Sequence, residues 1–309
     1  MLLKFAISDM LDDRRLKNIS PITMGRYKLT LRNFQDFMTS EEIVDVEDIT
    51  PNHIKKYILH CKEEKGNNPV TSNSKLRVLK TLFNYLVESE FITEKQNPVK
   101  RVQYAKEETR IDVFKENHIR QILAYYRRHK DKSKNFYFAR AHCLVLVLLS
   151  TGLRVGEISN LTWDKLDLVN KQATVFGKLR VESSIPLADK TVKELIEWKL
   201  YLERCFRRQK LVYVFPTHKN KQWTDNGIKC LFKRLQKEMG FDDVRLSAHT
   251  FRHYYCHTLI KNGADAFTVQ RLMRHSSMEM SRRYMALWGS ELKEQNDKYN
   301  PINSLNIDY

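Results

Sequence analysis

The chain has 309 residues, too many for one small core, and that length suggests two domains. Lysine and arginine total 54 against 37 aspartates and glutamates, a formal charge of +17, and with only 9 glycines and 7 prolines there is no low-complexity tail to carry it. Ordinary apolar content excludes a disordered chain, and a folded surface this basic points to a phosphate polymer, with solubility or an anionic membrane surface as the bland alternatives.

The start, MLLKFAISDMLDDRRLKN, has too short an apolar run and too many charges for a signal peptide. Ser20-Pro21 opens the first clear helix, ITMGRYKLTLRNFQDFM, because serine suits the cap and proline the first helical position. Thr50-Pro51 repeats the device before NHIKKYILHCKEEK. KGNNP then breaks the chain, and Thr71 or Ser72 is expected to cap NSKLRVLKTLFNYLVESEFI. In that helix Leu76, Leu79, Leu82, Phe83 and Leu86 form a buried stripe, with Lys75, Arg77 and Lys80 off it. Together with Lys28 and Arg32 these cations give a helical bundle with a basic exterior.

Asn97-Pro98 ends that region, and the charged run that follows reads as an interdomain linker over 104–113. A second, mixed domain opens near Phe114 with HIRQILAYYRRHK. The apolar run CLVLVLLS, 143–150, is far too short for a bilayer and reads as a buried helix stopped by Thr151-Gly152. A helix is expected over RVGEISNLTW. KLDLV, QATVF and ESSIPL then alternate as a small antiparallel sheet, with turns at Asn170-Lys171 and near Lys178-Leu179-Arg180. Helices return at VKELIEWKLYLERCF, at DNGIKCLFKRLQKEM and through most of 248–287. The five cysteines (Cys61, Cys143, Cys205, Cys230 and Cys256) are odd in number and widely spaced, which favours a reducing, cytoplasmic setting over a disulfide framework or zinc finger.

Four segments could carry chemistry: TGLRVGE at 151–157, the hairpin VFGKLRVESSIPL, the opening HTFRH at 249–253, and RHSSMEMSRRY ending at Tyr284. Each alone reads as ordinary surface charge or helix. Their order and spacing resemble the tyrosine recombinase, or phage integrase, family over roughly 110–290, and RRYMALWGSELKEQNDKYNP looks most like integrases of Gram-positive mobile elements. The resemblance implies a mainly α fold with a small antiparallel sheet (α+β), arranged as a two-domain clamp. Residues 1–103 would be a helical, SAM-like core-binding domain, 114–288 the catalytic domain, and 289–309 a tail that docks on a neighbouring copy. It also implies Arg154, Lys178, His249, Arg252, His275 and Tyr284 as catalytic residues, with Glu157 and His253 in support. The partner would be double-stranded DNA, with a dimer on each site and a tetramer in the synapse, and no cofactor, nucleotide or membrane. One position departs from the pattern: Met273-Arg274-His275 stands where Leu-Gly-His is usual. Glycine allows a tight turn there, and arginine is expected to add a phosphate contact instead.

The chemistry fits those residue types. Arginine's planar fork grips a phosphate and stays charged. Tyrosine, with a free pKa of about 10, needs a cationic setting to act as a nucleophile. Attack by Tyr284 would keep the bond energy as a phosphotyrosine, so the missing G-x-x-x-x-G-K-S/T loop is no obstacle. A lysine on a turn can protonate the leaving oxygen. His249 would help move the tyrosine's proton and His275 would bond the phosphate. A zinc site on His249, His253 and His257 is the first rival, weakened because three histidines along about 12 Å of helix overreach one ion and no HEXXH is present. The second is a sequence-specific DNA-binding regulator, such as a repressor, that has the fold and performs no recombination.

Overall fold

A computed structural model describes residues 1–107, 111–133, 135–176, 182–275 and 277–288. The chain divides into two compact units between Arg110 and Ile111.

The first unit is built from α1 (Leu3–Leu16), α2 (Pro21–Ser40), α3 (Pro51–Glu63) and α4 (Pro69–Glu88). Three of these start on proline. The Ser20 hydroxyl accepts from the Thr23 amide, and the His53 ring accepts from the Thr50 amide. For α4 the cap is Asn68, whose side chain accepts from the Thr71 amide at 2.8 Å. The expected caps Thr71 and Ser72 lie inside the helix, because Asn68-Pro69 is a third instance of the cap-plus-proline device and acts first. No start signal marks α1, which forms because Leu3, Ala6, Ile7 and Met10 make a buried helical stripe. Phe34 meets Tyr57 and Phe83 edge-on at the centre, with centroids at 5.1 and 6.4 Å, and all five apolar residues of the expected α4 stripe are buried.

Lys28, Arg32 and Arg77 are exposed. Lys75 and Lys80 are not free exterior charges. The Lys75 ammonium sits 3.2 Å from Cys61 Sγ, and Lys80 lies over the Tyr104 ring at 4.3 Å. Both are half-buried because their long stems cover apolar surface beside the stripe. The start of the expected linker is also held: the Asn73 side chain brackets Ala105, accepting from its amide and donating to its carbonyl.

In the second unit, α5 (Glu116–Ser133) packs on α6 (Phe136–Thr151), which is buried nearly all round. The helix expected over RVGEISNLTW is only α7 (Val155–Ser159), followed by a tight turn over Trp163–Lys165. It stops early because the Asn160 side chain bonds back to the Gly156 carbonyl and the Trp163 amide is taken by Val212. The sheet is β1 (Leu166–Asp167), β2 (Gln172–Phe176) and β3 (Glu182–Pro186), antiparallel in that order, with Ala173 opposite Ile185 and Val175 opposite Ser183. Ala173, Val175 and Ile185 face the core. The expected turn at Lys178-Leu179-Arg180 lies outside the described residues. The remaining helices are α8 (Asp189–Cys205), α9 (Asp225–Met239), α10 (Ala248–Lys261), α11 (Ala266–Met273) and α12 (Met278–Trp288). The last three enclose their own small core of Cys256, Ile260, Val269, Met273 and Tyr284. Among the described residues no helix is long and apolar enough to cross a membrane.

Candidate active site

The site grows from a junction of short turns. Gly152 ends α6 in the left-handed region, φ 58°, and a Cβ there would meet the Tyr255 ring at 2.5 Å, so only glycine fits. That turn delivers Arg154 to the head of α7. The Arg154 amide donates to Glu157 Oε2 at 2.9 Å, and its Nη1 donates to Oε1 at 2.7 Å. Glu157 therefore both caps the short helix and orients the guanidinium.

Arg252, from α10, is buried. It donates to the Gly152 carbonyl at 2.6 Å and to the Met273 carbonyl. Arg274 occupies the left-handed region, φ 52° and ψ 49°, as the cap of α11. A non-glycine residue there costs on the order of 1 kcal/mol. Its guanidinium turns inward, 6% exposed, to Glu157 Oε2 at 3.1 Å and the Gly152 carbonyl at 3.5 Å. In the free protein the Arg274 side chain is committed to a buried ion pair, because Glu157 is the nearest compensating charge.

His275 is buried, with Nδ1 2.9 Å from the Ser281 hydroxyl and Nε2 without a hydrogen-bond partner in the described structure. Tyr284 does not stand apart from the packing residues of α12. It is 5% exposed and belongs to the small core, while Met280 is 43% exposed. Its ring stacks on His275 with centroids at 5.6 Å, and its hydroxyl lies 3.0 Å from His253 Nδ1. His249 follows behind, its ring 4.1 Å from that of His253. Arg154, Glu157, His249, Arg252, His253, His275 and Tyr284 are therefore joined by direct contacts, directly or through the 273–274 turn; Lys178 lies outside the described residues.

The sequence gives no direct sign of the Gly152 and Met273 carbonyls, of Ser281, or of Lys229, Lys233 and Arg245. The last three share with Arg154, His249 and Arg252 a cavity of about 400 Å³. Spacing on α9 puts Lys229 and Lys233 on one face, which is the signal that could have found them.

The electrostatics are one-sided. Burial pushes the Glu157 carboxyl up, but Arg274 and then Arg154 outweigh it and hold it below the usual carboxylate range. Burial, then Arg154 and Arg274, lowers Arg252 to about 10. Burial first, then His249, Arg252 and His275, lowers His253 to about 3; burial and then the arginines lower His275 to about 4. His249 is lowered too, by burial, Arg252 and Arg154. The cluster keeps its histidines neutral beside its arginines. With the His253 proton on Nε2, the Tyr284 hydroxyl donates to Nδ1.

This predicts an acid-sensitive fold. The unfolded chain binds protons at these histidines near pH 6.5 and the folded chain does not, so stability is full above that pH and falls as pH drops below it. Two such groups cost about 2 kcal/mol between pH 6.5 and 5.5. Urea titrations across that range should show the loss, and His253→Gln with His275→Gln should remove most of it, leaving the share of His249. A wild-type curve already flat there contradicts the buried neutral pair.

No group of three His, Cys, Asp or Glu side chains among the described residues is placed to hold a metal, and His253 Nδ1 is already engaged by Tyr284.

Residues 112–289 match the model of the phage integrase family, and residues 2–104 match that of the phage integrase SAM-like domain. The chain belongs to the phage integrase family. Relatives of this integrase include a protein named tyrosine recombinase XerC from Leptospira interrogans serogroup Icterohaemorrhagiae serovar copenhageni, 26% identical over 92% of this chain and 89% of that protein. Another of the same name, from Bacillus pumilus, is 24% identical over 92% of each. Among solved structures, the Tn1549 transposon integrase in complex with transposon right end DNA superposes with a TM-score of 0.79 at 18% identity, covering 98% of this chain and 99% of that one. A lambda integrase dimer bound to a COC′ core site gives 0.70 at 19% identity, covering 91% and 97%. At those identities the likeness shows the integrase fold: mainly helical, with a small antiparallel sheet.

Proposed function

We propose that this integrase is a site-specific DNA recombinase that cuts and rejoins double-stranded DNA through a 3′-phosphotyrosyl intermediate, in the integration or excision of a mobile element. The observation that carries it is the Tyr284 hydroxyl, 3.0 Å from a neutral His253 and stacked on a histidine whose Nε2 is buried and unpartnered. An unpaired buried ring nitrogen is costly, and a phosphate oxygen would satisfy it. Membership of the integrase family, and relatives named as tyrosine recombinases, support the same reading.

In this reaction Arg154 and Arg252 hold the non-bridging oxygens, using guanidinium donors beyond those already spent on Glu157 and on the Gly152, Met273 and Arg274 carbonyls. The Tyr284 oxygen attacks phosphorus and its proton passes to His253 Nδ1. This gives His253 the role that the resemblance assigns to His249, which stands behind it. The 5′-oxygen leaves and takes a proton, a role we assign to Lys178. The bound phosphodiester's negative charge raises the basicity of His253, so the hydroxyl gives up its proton only once DNA is seated. Lys229, Lys233 and Arg245 would hold neighbouring phosphates, and Lys28, Arg32 and Arg77 would add contacts from the core-binding domain, which we place at 1–103. By the same reading 104–113 is the linker, 114–288 the catalytic domain and 289–309 a tail docking on a neighbour, with two copies on a site and four in the synapse. Free cysteines fit a cytoplasmic setting.

The test begins with a pool of duplexes with randomised arms, from which the protein selects its site. Selected duplexes are remade with a nick stepped along the centre, so that cleavage sheds a short fragment and traps the protein. We expect an adduct that survives detergent, with the DNA-linked peptide mapping to Tyr284. Tight sequence-specific binding without adduct at any nick position would overturn the recombinase and favour a regulator. No observation at the site favours that second reading.

A further inference from the structure

Among the described residues, seven that are not glycine have positive φ. Asn18, Glu42, Glu90, Lys171 and Arg208 are exposed turn residues, and Asn220 is half-buried. Arg274 alone among the seven combines that backbone strain with a charged side chain buried in an ion pair. A sequence gains nothing from arginine at a position suited to glycine unless the side chain does something there.

What it touches suggests the purpose. Its Nη1 donates back to the Leu272 carbonyl at 2.8 Å, so the side chain folds over its own turn. Its Nη2 reaches Glu157, the carboxylate that orients Arg154. Its own carbonyl accepts from Arg154 Nη2 at 3.1 Å, and the preceding carbonyl, of Met273, accepts from Arg252. The turn at 273–274 is thus tied to both phosphate-gripping arginines through its backbone, and through its side chain to Glu157, the carboxylate that orients Arg154. The chain then runs directly into His275 and into α12 with Tyr284. α12 otherwise rests on the small core that it shares with α10 and α11.

We infer that Arg274 is a positioning residue that pins the His275–Tyr284 segment to the Arg154–Glu157–Arg252 group and so sets the nucleophile against the phosphate grip. The role in catalysis rests on the recombinase reading; the pin itself does not. Glu157 is shared between Arg154 and Arg274, one oxygen facing each guanidinium. Losing Arg274 therefore releases the nucleophile segment and also alters the setting of Arg154. Glycine is the informative replacement because it takes the left-handed turn without strain and deletes only the side chain.

The experiment compares wild type, Arg274→Gly, Arg274→Lys, Glu157→Gln and the double variant Glu157→Gln/Arg274→Gly as full chains. Amide hydrogen exchange without DNA is read over 266–288 against α6 as the internal standard. For Arg274→Gly we expect faster exchange at 275–288 with α6 unchanged, and Arg274→Lys to recover part of the protection. With the selected nicked duplex, we expect Arg274→Gly to bind within about twofold of wild type while single-turnover adduct formation slows about 10- to 100-fold, the scale of a nucleophile displaced by an ångström. The double variant should be little slower than the worse single one, because both substitutions cut the same link. Wild-type exchange and adduct rates in Arg274→Gly would overturn the inference, as would additive losses in the double variant. Absence of adduct from wild type itself counts against the recombinase and leaves the exchange measurement to decide the pin.

Discussion

Tyr284→Phe should bind the selected duplex as tightly as wild type and leave no detergent-resistant adduct. The substitution removes one oxygen. The ring keeps its place among Cys256, Ile260, Val269 and Met273 and its stack on His275, so the fold has little to adjust. The lost hydrogen bond to His253 is worth about 1 kcal/mol. Binding draws on phosphate contacts from lysines and arginines rather than from a neutral hydroxyl, so affinity and its salt dependence should be untouched. Adduct formation needs the oxygen itself, and neutral histidines cannot substitute for it. Denaturing gels on the nicked duplex, with filter binding alongside, measure both quantities. An adduct persisting in Tyr284→Phe would move the nucleophile elsewhere, Tyr255 on the neighbouring helix being the first to examine. Loss of affinity together with the adduct would instead mean that α12 had shifted.

Much of this site is legible in the sequence, and the parts that are not share a cause. The three-residue spacing of His249 and Arg252 and the helix stop before Arg154 are local features, and local geometry carries them, whereas the interval from His275 to Tyr284 carries meaning only through the family resemblance. The same holds for the cap-plus-proline starts of α2 and α3. The first failure is itself local: Thr71 and Ser72 look like better caps than Asn68 until Pro69 is weighed. The other features that the sequence does not show are contacts between distant positions. Arg274 reads as a phosphate ligand because its sequence neighbours are basic and polar. Its direction is fixed by Glu157, 117 positions away. His253 reads as a buttress until Tyr284, 31 positions on, is placed against its Nδ1. Lys75 and Lys80 look solvated from helical spacing alone; Cys61 and Tyr104, which engage them, come from other segments. Charge can be read from composition, but which charges are spent inside the protein depends on tertiary contacts.

That distinction decides what Arg252 is for, and two substitutions separate its roles. Arg252→Ala removes the donor to both the Gly152 and Met273 carbonyls in a site where the side chain is 3% exposed. Each orphaned carbonyl costs about 1–3 kcal/mol, so urea unfolding should show a loss of about 3 kcal/mol. Adduct formation should vanish with it, which by itself cannot distinguish a broken fold from a missing phosphate ligand. Arg252→Lys resolves the two. The ammonium keeps the positive charge and can reach one carbonyl, so the stability loss should be smaller, about 1–2 kcal/mol, and the protein stays folded at room temperature. It cannot reproduce the planar fork that braces two carbonyls and still presents parallel donors to a phosphate. Single-turnover cleavage should therefore fall by about 100- to 1,000-fold, the cost of one misplaced donor at a charge that develops in the transition state. A lysine variant that stays folded at the assay temperature yet fails to cleave assigns Arg252 to the chemistry. One that cleaves at the wild-type rate would make this buried arginine a structural brace, and would leave Arg154 as the sole arginine gripping the phosphate.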